Sequence, residues 1–203
     1  LPTDVCTGTN INTVLTDSST PNDGTTTLNY SWTITDPSGT VVHTSNLAVP
    51  NYVLLNTTNA AITYTVELTV TNTDGCTATL STTIIVYPDA IAQINTTNIA
   101  GCAPLTVTAS DLFATTYTTN DTYTWTITDA AGNPVTTTPN PLTGATGFNH
   151  TVTAVNTTLT VTLTVTSANG CNSDTATATI TTYDDPDPSW TLTSNAGCDP
   201  FTP

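Results

Sequence analysis

The feature that most constrains the fold of this chain is an internal repeat of about 95 residues. Cys6, Cys102 and Cys198 are spaced 96 residues apart, and the segment Tyr30–Asp36 returns as Tyr123–Asp129. Landmarks that recur in a fixed order at this spacing are typical of tandem copies of one domain. The sequence therefore predicts two full repeats, residues 1–88 and 89–185, followed by the first strand of a third, truncated repeat at 186–203.

Within each repeat, apolar residues alternate with threonine. In the second repeat Tyr123, Trp125 and Ile127 share one phase, and the residues between them are all threonine. A period of two is the signature of a strand that is buried on one face, and threonine favours strands because it is β-branched. Turn residues such as Asp36-Pro37-Ser38-Gly39 separate these segments. About seven short strands per repeat predict an all-β fold of tandem immunoglobulin-like β-sandwiches, with Trp32 and Trp125 in the two cores.

The charge composition excludes several classes of partner. The 203 residues include no Lys or Arg and 15 acidic residues, so the formal net charge is -15. Nucleic-acid binding depends largely on cationic side chains that meet phosphates, and anionic membrane surfaces attract the same groups. No apolar run approaches the roughly 20 residues that span a bilayer. We expect no nucleic-acid partner and no direct membrane insertion.

The motifs resemble those of a known family. Tyr-x-Trp-x-Ile-x-Asp, followed by a Val-x-Leu-x-Val strand from Val66 and again from Val161, is similar to the polycystic kidney disease (PKD) domain. The Gly-Cys-x-Pro opening at Cys102 and Cys198 resembles PKD-like repeats of giant Bacteroidota cell-surface proteins, including gliding-motility adhesins. The resemblance implies an immunoglobulin-like sandwich, type IX secretion and an extracellular location on the cell surface. The Trp-Asp-Phe-Gly-Asp-Gly core of better-known PKD domains is replaced by Trp-Thr-Ile-Thr-Asp, so functions tied to that core do not carry over.

The cysteine spacing is similar in both repeats. Cys6 and Cys76 are 70 residues apart, and Cys102 and Cys171 are 69 apart. In a secreted protein such pairs indicate disulfides, whereas a zinc site needs closely spaced ligands such as Cys-x-x-Cys, which the chain lacks. The first cysteine of each repeat is expected to open the first strand and the second to lie in the hairpin between the last two strands, so that both lie at the N-terminal end of the sandwich. We therefore expect Cys6 to bond to Cys76 and Cys102 to Cys171. Cys198 would then have no partner in this chain.

A run of acidic residues follows the second repeat. The run reads Asp184-Asp185-Pro186-Asp187-Pro188. Carboxylates in a linker can bind Ca²⁺, but prolines stiffen a linker without a metal. The equivalent stretch after the first repeat has one aspartate, Asp89, so a plain proline-stiffened linker is the preferred interpretation and calcium the alternative. No other cofactor is expected.

No pattern in the sequence indicates catalysis. The only histidines, His43 and His150, do not occupy equivalent positions, and no Gly-x-Ser-x-Gly nucleophile motif is present. We therefore predict that the chain is not an enzyme. The favoured function is that of structural stalk or spacer repeats in a secreted bacterial adhesin, with neighbouring repeats, surface glycans or other cell-surface proteins as partners. The alternatives are a carbohydrate-binding accessory module of a secreted hydrolase and a subunit of an extracellular filament or surface layer.

Overall fold

The computed structural model describes residues 4–21, 27–95, 98–108, 121–135, 142–143 and 149–191. It contains fourteen strands within these residues. The first seven are β1 (Asp4–Cys6), β2 (Thr9–Asn10), β3 (Leu28–Thr35), β4 (Val41–Ser45), β5 (Val53–Leu54), β6 (Ile62–Asn72) and β7 (Thr77–Tyr87). The other seven are β8 (Asn98–Cys102), β9 (Leu105–Thr108), β10 (Thr122–Thr128), β11 (Leu142–Thr143), β12 (Asn149–Val152), β13 (Thr157–Thr166) and β14 (Asp174–Tyr183).

The strands form two sandwiches of the same topology. The larger sheet has the order β1-β7-β6-β3-β4 in the first and β8-β14-β13-β10-β11 in the second. A two-stranded sheet accompanies each one, β2–β5 and β9–β12 respectively. In the described residues the only helical segment is a single 3₁₀ turn, Ile11–Thr13. The prediction of an all-β, immunoglobulin-like fold in tandem copies is confirmed.

Each sandwich has its own apolar core, built from the phase that the alternation predicts. Trp32 in β3 and Trp125 in β10 are 6% and 0% exposed. They pack with apolar residues of the two long neighbouring strands, among them Tyr64, Val66, Ile84 and Val86 in the first core and Leu159, Val161, Leu163 and Ile180 in the second. The prediction that both tryptophans are core residues is confirmed.

The outer faces of the large sheets carry threonine where many proteins use charged pairs. On β13 and β14 the cross-strand neighbours include Thr160 with Thr179 and Thr162 with Thr177. On β6 and β7 the hydroxyls of Thr69 and Thr79 lie 3.0 Å apart. Directly opposed side chains contribute to sheet stability, and two threonines can do so without charge. A chain with no cation can thus build wide sheets without repulsion between neighbouring acidic side chains.

The aspartate of the Tyr-x-Trp-x-Ile-x-Asp motif closes the turn after β3 and after β10. The Asp36 carboxylate accepts hydrogen bonds from the Ser38 hydroxyl at 2.6 Å and from the Ser38 and Thr40 N–H groups at 2.9 Å. Asp129 accepts the equivalent bonds from Asn133 and Ala131. These bonds stabilise the ionised form, those from the Ser38 and Asn133 side chains most strongly, and so they lower the pKa of both carboxyls.

We predict that these two turns contribute stability that depends on pH. Since the folded-state pKa is depressed, the contribution is full above the ordinary carboxyl value of about 3.9 and is lost as the pH falls through the folded-state pKa. The double variant Asp36→Asn/Asp129→Asn should unfold at a lower temperature than the parent at pH 6, and the difference should shrink below pH 4. Thermal unfolding followed by circular dichroism measures this difference.

A matched control is the linker variant Asp184→Asn/Asp187→Asn, which removes the same number of charges. It should show no such pH-dependent gap. An equal gap in both variants would assign the effect to net charge and not to the turns.

Candidate functional site at the junction between the repeats

The site begins with the direction of the first strand. β1 runs parallel to β7, and the register places Cys6 beside Tyr87, the last residue of that strand. The N–H of Thr7 then donates to the Tyr87 carbonyl at 2.8 Å. Cys6 is therefore the last residue of β1 and lies at the exit end of the first sandwich, which is the end where the chain continues into the second repeat.

The disulfide in the structure is not one of the two predicted. Cys6 bonds to Cys171, with the Cα atoms 5.4 Å apart, while Cys76 and Cys102 are exposed free thiols. The predicted Cys6–Cys76 and Cys102–Cys171 pairs are wrong, because the first cysteine of each repeat ends its strand and does not open it. Cys76 precedes β7 and Cys6 lies beside its last residue, so the length of β7, roughly 30 Å, separates them. A disulfide tolerates a Cα separation of at most about 7 Å.

Cys171 belongs to the hairpin between β13 and β14, at the end of the second sandwich where the chain enters it. The turn passes through Gly170, whose φ of 75° lies in the left-handed region that glycine adopts at no steric cost. Cys171 is 8% exposed. The exit end of the first sandwich and the entry end of the second are thus joined by a covalent bond in addition to the backbone.

The linker between the sandwiches is fixed to the same hairpin. The Asp89 carboxylate accepts hydrogen bonds from the Asn172 N–H at 3.2 Å and from its side-chain amide at 3.1 Å. The Ala90 N–H donates to the Asn172 carbonyl at 3.0 Å, and Ala90 is buried in the second core. Because Tyr87 belongs to the first sandwich, only Pro88 separates the two bodies, and proline has a fixed φ.

Asp89 and Asn172 were not predicted as functional residues. A signal existed for the aspartate, since Asp89 and Asp185 lie 96 residues apart and each follows a strand-ending tyrosine by two positions. Asn172 has no such signal, because the first repeat has Thr77 after its hairpin cysteine. Its role is seen only in the structure, where the hairpin of the second repeat meets the first residues of the same repeat.

The exit end of the second sandwich has the same construction, and its cysteine is not bonded to another cysteine of the described residues. β8 runs parallel to β14, Cys102 lies beside Tyr183, and the Ala103 N–H donates to the Tyr183 carbonyl at 3.0 Å. The exposed Cys102 thiol donates a hydrogen bond to the Asp185 carboxylate. This bond, with the charges of Asp185 and Asp184, raises the pKa of the thiol.

The other sequence-predicted site residues do not converge. Within the described residues no three His, Cys, Asp or Glu side chains are close enough to share a metal ion, and these residues include Asp184, Asp185 and Asp187. His43 stacks on Tyr52 with ring centroids 5.1 Å apart, and burial lowers the pKa of His150 on β12. Cys198 and most of the predicted third repeat lie outside the described residues.

One further observation concerns membranes. In the described part of the chain, no helix has the length and apolarity that crossing a bilayer requires.

We predict that removing the inter-repeat disulfide destabilises both sandwiches. Unfolding either one alone leaves a closed loop of roughly 80 residues, and the chain-entropy model assigns such a closure up to about 4 kcal/mol. Cys6→Ser should therefore lower the denaturation midpoint of both repeats in guanidinium chloride. Each repeat has its own buried tryptophan, so single-tryptophan variants that retain Trp32 or Trp125 report on them separately by fluorescence.

Cys76→Ser is the matched control, since it also removes one sulfur, in this case from the hairpin between β6 and β7, and leaves the bridge intact. Its midpoints should stay close to those of the parent. A Cys6→Ser variant that lost stability in only one repeat would contradict the coupling.

We also predict that Asp185 lowers the reactivity of the Cys102 thiol towards alkylation. Replacing the carboxylate with a neutral amide in Asp185→Asn removes the acceptor and the negative charge that raise the thiol pKa. The pH–rate profile for alkylation of Cys102 by iodoacetamide should shift to lower pH, because the thiolate is the nucleophile. Asp187→Asn is the control, and an equal shift in that variant would show that the effect comes from the general charge of the linker.

Comparison with known proteins gave structural neighbours only. No family model matches the chain, and no curated protein sequence matches it. Fibronectin(III)-like modules of CbhA from Clostridium thermocellum are 11% identical, with 90% of each chain covered and a TM-score of 0.33. The FN1-FN3 domains of chicken CNTN1 are 16% identical, covering 84% of this chain and 60% of theirs, with a TM-score of 0.36.

A tetra-tandem repeat in the extending region of a large adhesion protein is 22% identical, covering 75% of this chain and 42% of that one, with a TM-score of 0.25. At TM-scores this low, what these proteins do does not transfer to the chain. The topology of the two sandwiches by itself makes this a chain of immunoglobulin-like repeats.

Proposed function

We propose that these repeats are length-limiting spacers in the stalk of a secreted cell-surface adhesin of the PKD-like type. The observation that carries the proposal is the Cys6–Cys171 bond, which joins the two sandwiches end to end. A disulfide persists in oxidising compartments, which supports an extracellular location. The PKD-like motifs support a place on the bacterial surface, with gliding motility as one setting.

The bond changes how the chain carries tension. A pull on the two termini passes from Cys6 through the disulfide to Cys171, and the 165-residue segment that the bond spans lies in a closed loop. Unfolding of the residues inside that loop cannot lengthen the molecule, and of the two sandwiches only β1 and β14 lie outside it. A spacer of this kind keeps its reach under load, which is what a stalk requires and what a binding module does not need.

The junction also limits bending. Pro88 is the single residue between Tyr87 and the hydrogen-bonded Asp89, and the disulfide lies beside it as a second connection. Two covalent connections oppose a hinge motion that one flexible linker would permit. The two repeats should therefore behave as one stiff rod.

The aromatic side chains give little support to the carbohydrate-binding alternative. A sugar platform would need aromatic rings exposed at equivalent positions, but Trp32, Trp125, Tyr64 and Tyr123 are buried. In the described residues, the exposed aromatic rings include Tyr183 and Trp190, both near the end of the second repeat. These positions do not form a row that recurs from one repeat to the next.

We predict that single-molecule pulling from the termini will show the closed loop directly. Reduction should release about 165 residues, a gain in contour length of roughly 550–600 Å at about 3.5 Å per residue. Before reduction, unfolding inside the loop should add no length.

Cys6→Ser should give the long extension without a reductant, and Cys76→Ser should behave as the parent does. If the oxidised parent and the reduced chain extended equally, load would run through unfolding sandwiches and the length-limiting role would be ruled out.

A further inference from the structure

The exposed aliphatic side chains of the first sandwich are concentrated in one segment. Its described residues expose six large aliphatic side chains, and five of these lie within residues 41–55. They are between 36% and 58% exposed: Val41, Val42, Leu47, Val53 and Leu55. Single apolar side chains are normal on a protein surface, whereas a contiguous group of them marks an interaction site.

A ring contact joins the two strands that carry this group. His43 lies in the middle of β4 and Tyr52 directly precedes β5, and their rings stack with the centroids 5.1 Å apart. Val42 is next to His43 in the chain and Val53 is next to Tyr52, so the β4 and β5 parts of the group meet. We call the five aliphatic residues and this aromatic pair the side patch.

Hydrogen bonds from buried residues hold both exposed leucines in place. The Trp32 indole donates to the Leu47 carbonyl at 3.0 Å, and the Leu47 N–H donates to the Ser45 hydroxyl at 3.2 Å. The Tyr64 hydroxyl donates to the Leu55 carbonyl at 2.8 Å. Because the core fixes their backbone, the side patch is organised before a partner binds, which lowers the entropy cost of binding.

The strand at the centre of the side patch is an edge of its sheet. In the order β1-β7-β6-β3-β4, β4 pairs with β3 on one side, and no strand of the described residues pairs with it on the other. An edge strand offers its N–H and C=O groups to a further strand. β1, which carries Cys6, lies at the opposite edge with three strands between them, so the side patch is away from the inter-repeat disulfide.

Charge decides which surface of the chain can meet another copy. The formal net charge is -15 and the chain has no Lys or Arg, so two copies repel wherever their carboxylates face each other. Residues 37–66, which include the whole side patch, contain no Asp or Glu. A second copy can therefore approach this side of the sandwich without placing carboxylates opposite one another. At about 0.15 M salt the Debye length is about 8 Å, which screens the more distant charges.

We propose that the side patch is a contact between two copies of the chain, in which the two β4 strands pair antiparallel about a two-fold axis. Such a contact is self-complementary, because each β4 supplies the backbone groups that the other lacks and both copies bury the same aliphatic residues. It closes after two copies, since each β4 has one open edge. The contact goes beyond the spacer role, because it joins two stalks side by side.

The contact is small, and the association should be weak. Pairing of β4 with β3 is regular only over His43–Ser45, because the register shifts between Ile34 and Thr35. A contact built on so short a strand belongs to the interfaces under about 1,200 Å², which are typical of transient pairs. We therefore expect dimers at high protein concentration only.

The test uses the full 203-residue chain with Cys76→Ser, Cys102→Ser and Cys198→Ser, so that no disulfide can form between copies. Sedimentation equilibrium at 0.15 M salt covers protein concentrations from about 10 µM to about 1 mM, the range in which weak pairs dissociate. Hydrogen exchange of residues 41–47 is measured at both ends of this range. Circular dichroism checks that each variant is folded.

Two variants place a carboxylate on the side patch, Val41→Glu on β4 and Val53→Glu on β5. The matched control is Val155→Glu, which adds the same charge at a valine that is 44% exposed between β12 and β13 of the second sandwich. On the two-fold axis each added carboxylate on the side patch brings like charges together, which should weaken the association by about tenfold or more.

The expected result is an average mass that rises from 21.0 kDa towards twice that value with concentration, both in the parent and in Val155→Glu. Exchange of residues 41–47 should slow over the same range, and Val41→Glu and Val53→Glu should lose both effects. A mass that stays at 21.0 kDa up to 1 mM would overturn the proposal. So would equal association in all variants, or masses that climb beyond the dimer.

Discussion

The parallel pairing of the first strand with the last is the interaction on which the junction depends. β1 lies beside the final residues of β7, and β8 lies beside the final residues of β14. This register carries the first cysteine of each repeat to the exit end of its sandwich, although it comes early in the sequence. Had the first strand paired with another part of the sheet, Cys6 would not face the second repeat and the bridge could not form.

The absence of cations shapes the rest of the molecule. A chain with 15 acidic residues and no Lys or Arg cannot form internal ion pairs between side chains of opposite charge, apart from those that a protonated histidine offers. Its carboxylates instead accept hydrogen bonds from N–H and hydroxyl groups, as Asp36 does in its turn and Asp89 does at the junction. Threonine pairs cover the outer faces of the sheets. Rigidity then comes from packing, hydrogen-bonded turns and a covalent bond, none of which weakens much in salt.

The fold could be predicted from the sequence because its signals are local. The alternation around Trp125 defines a strand and its buried face, and the turn at Asp36 marks where β3 ends. The disulfide could not be predicted in this way, because the similar spacing of Cys6–Cys76 and Cys102–Cys171 suits both a bridge within each repeat and a bridge to the next one. Only the strand pairing distinguishes them, since it decides at which end of the sandwich each cysteine lies. Asp89 could have been found by alignment of the repeats, but its partner Asn172 could not, because the first repeat has Thr77 at that position.

The closed covalent loop has a consequence for survival outside the cell. A backbone cut at one point between Cys6 and Cys171 opens the loop but does not divide the molecule, because the disulfide still holds the two parts together. The damaged segment can remain folded around its own core, as nicked domains do when few contacts are lost. A repeat joined in this way tolerates a single proteolytic cleavage without shedding whatever lies beyond it.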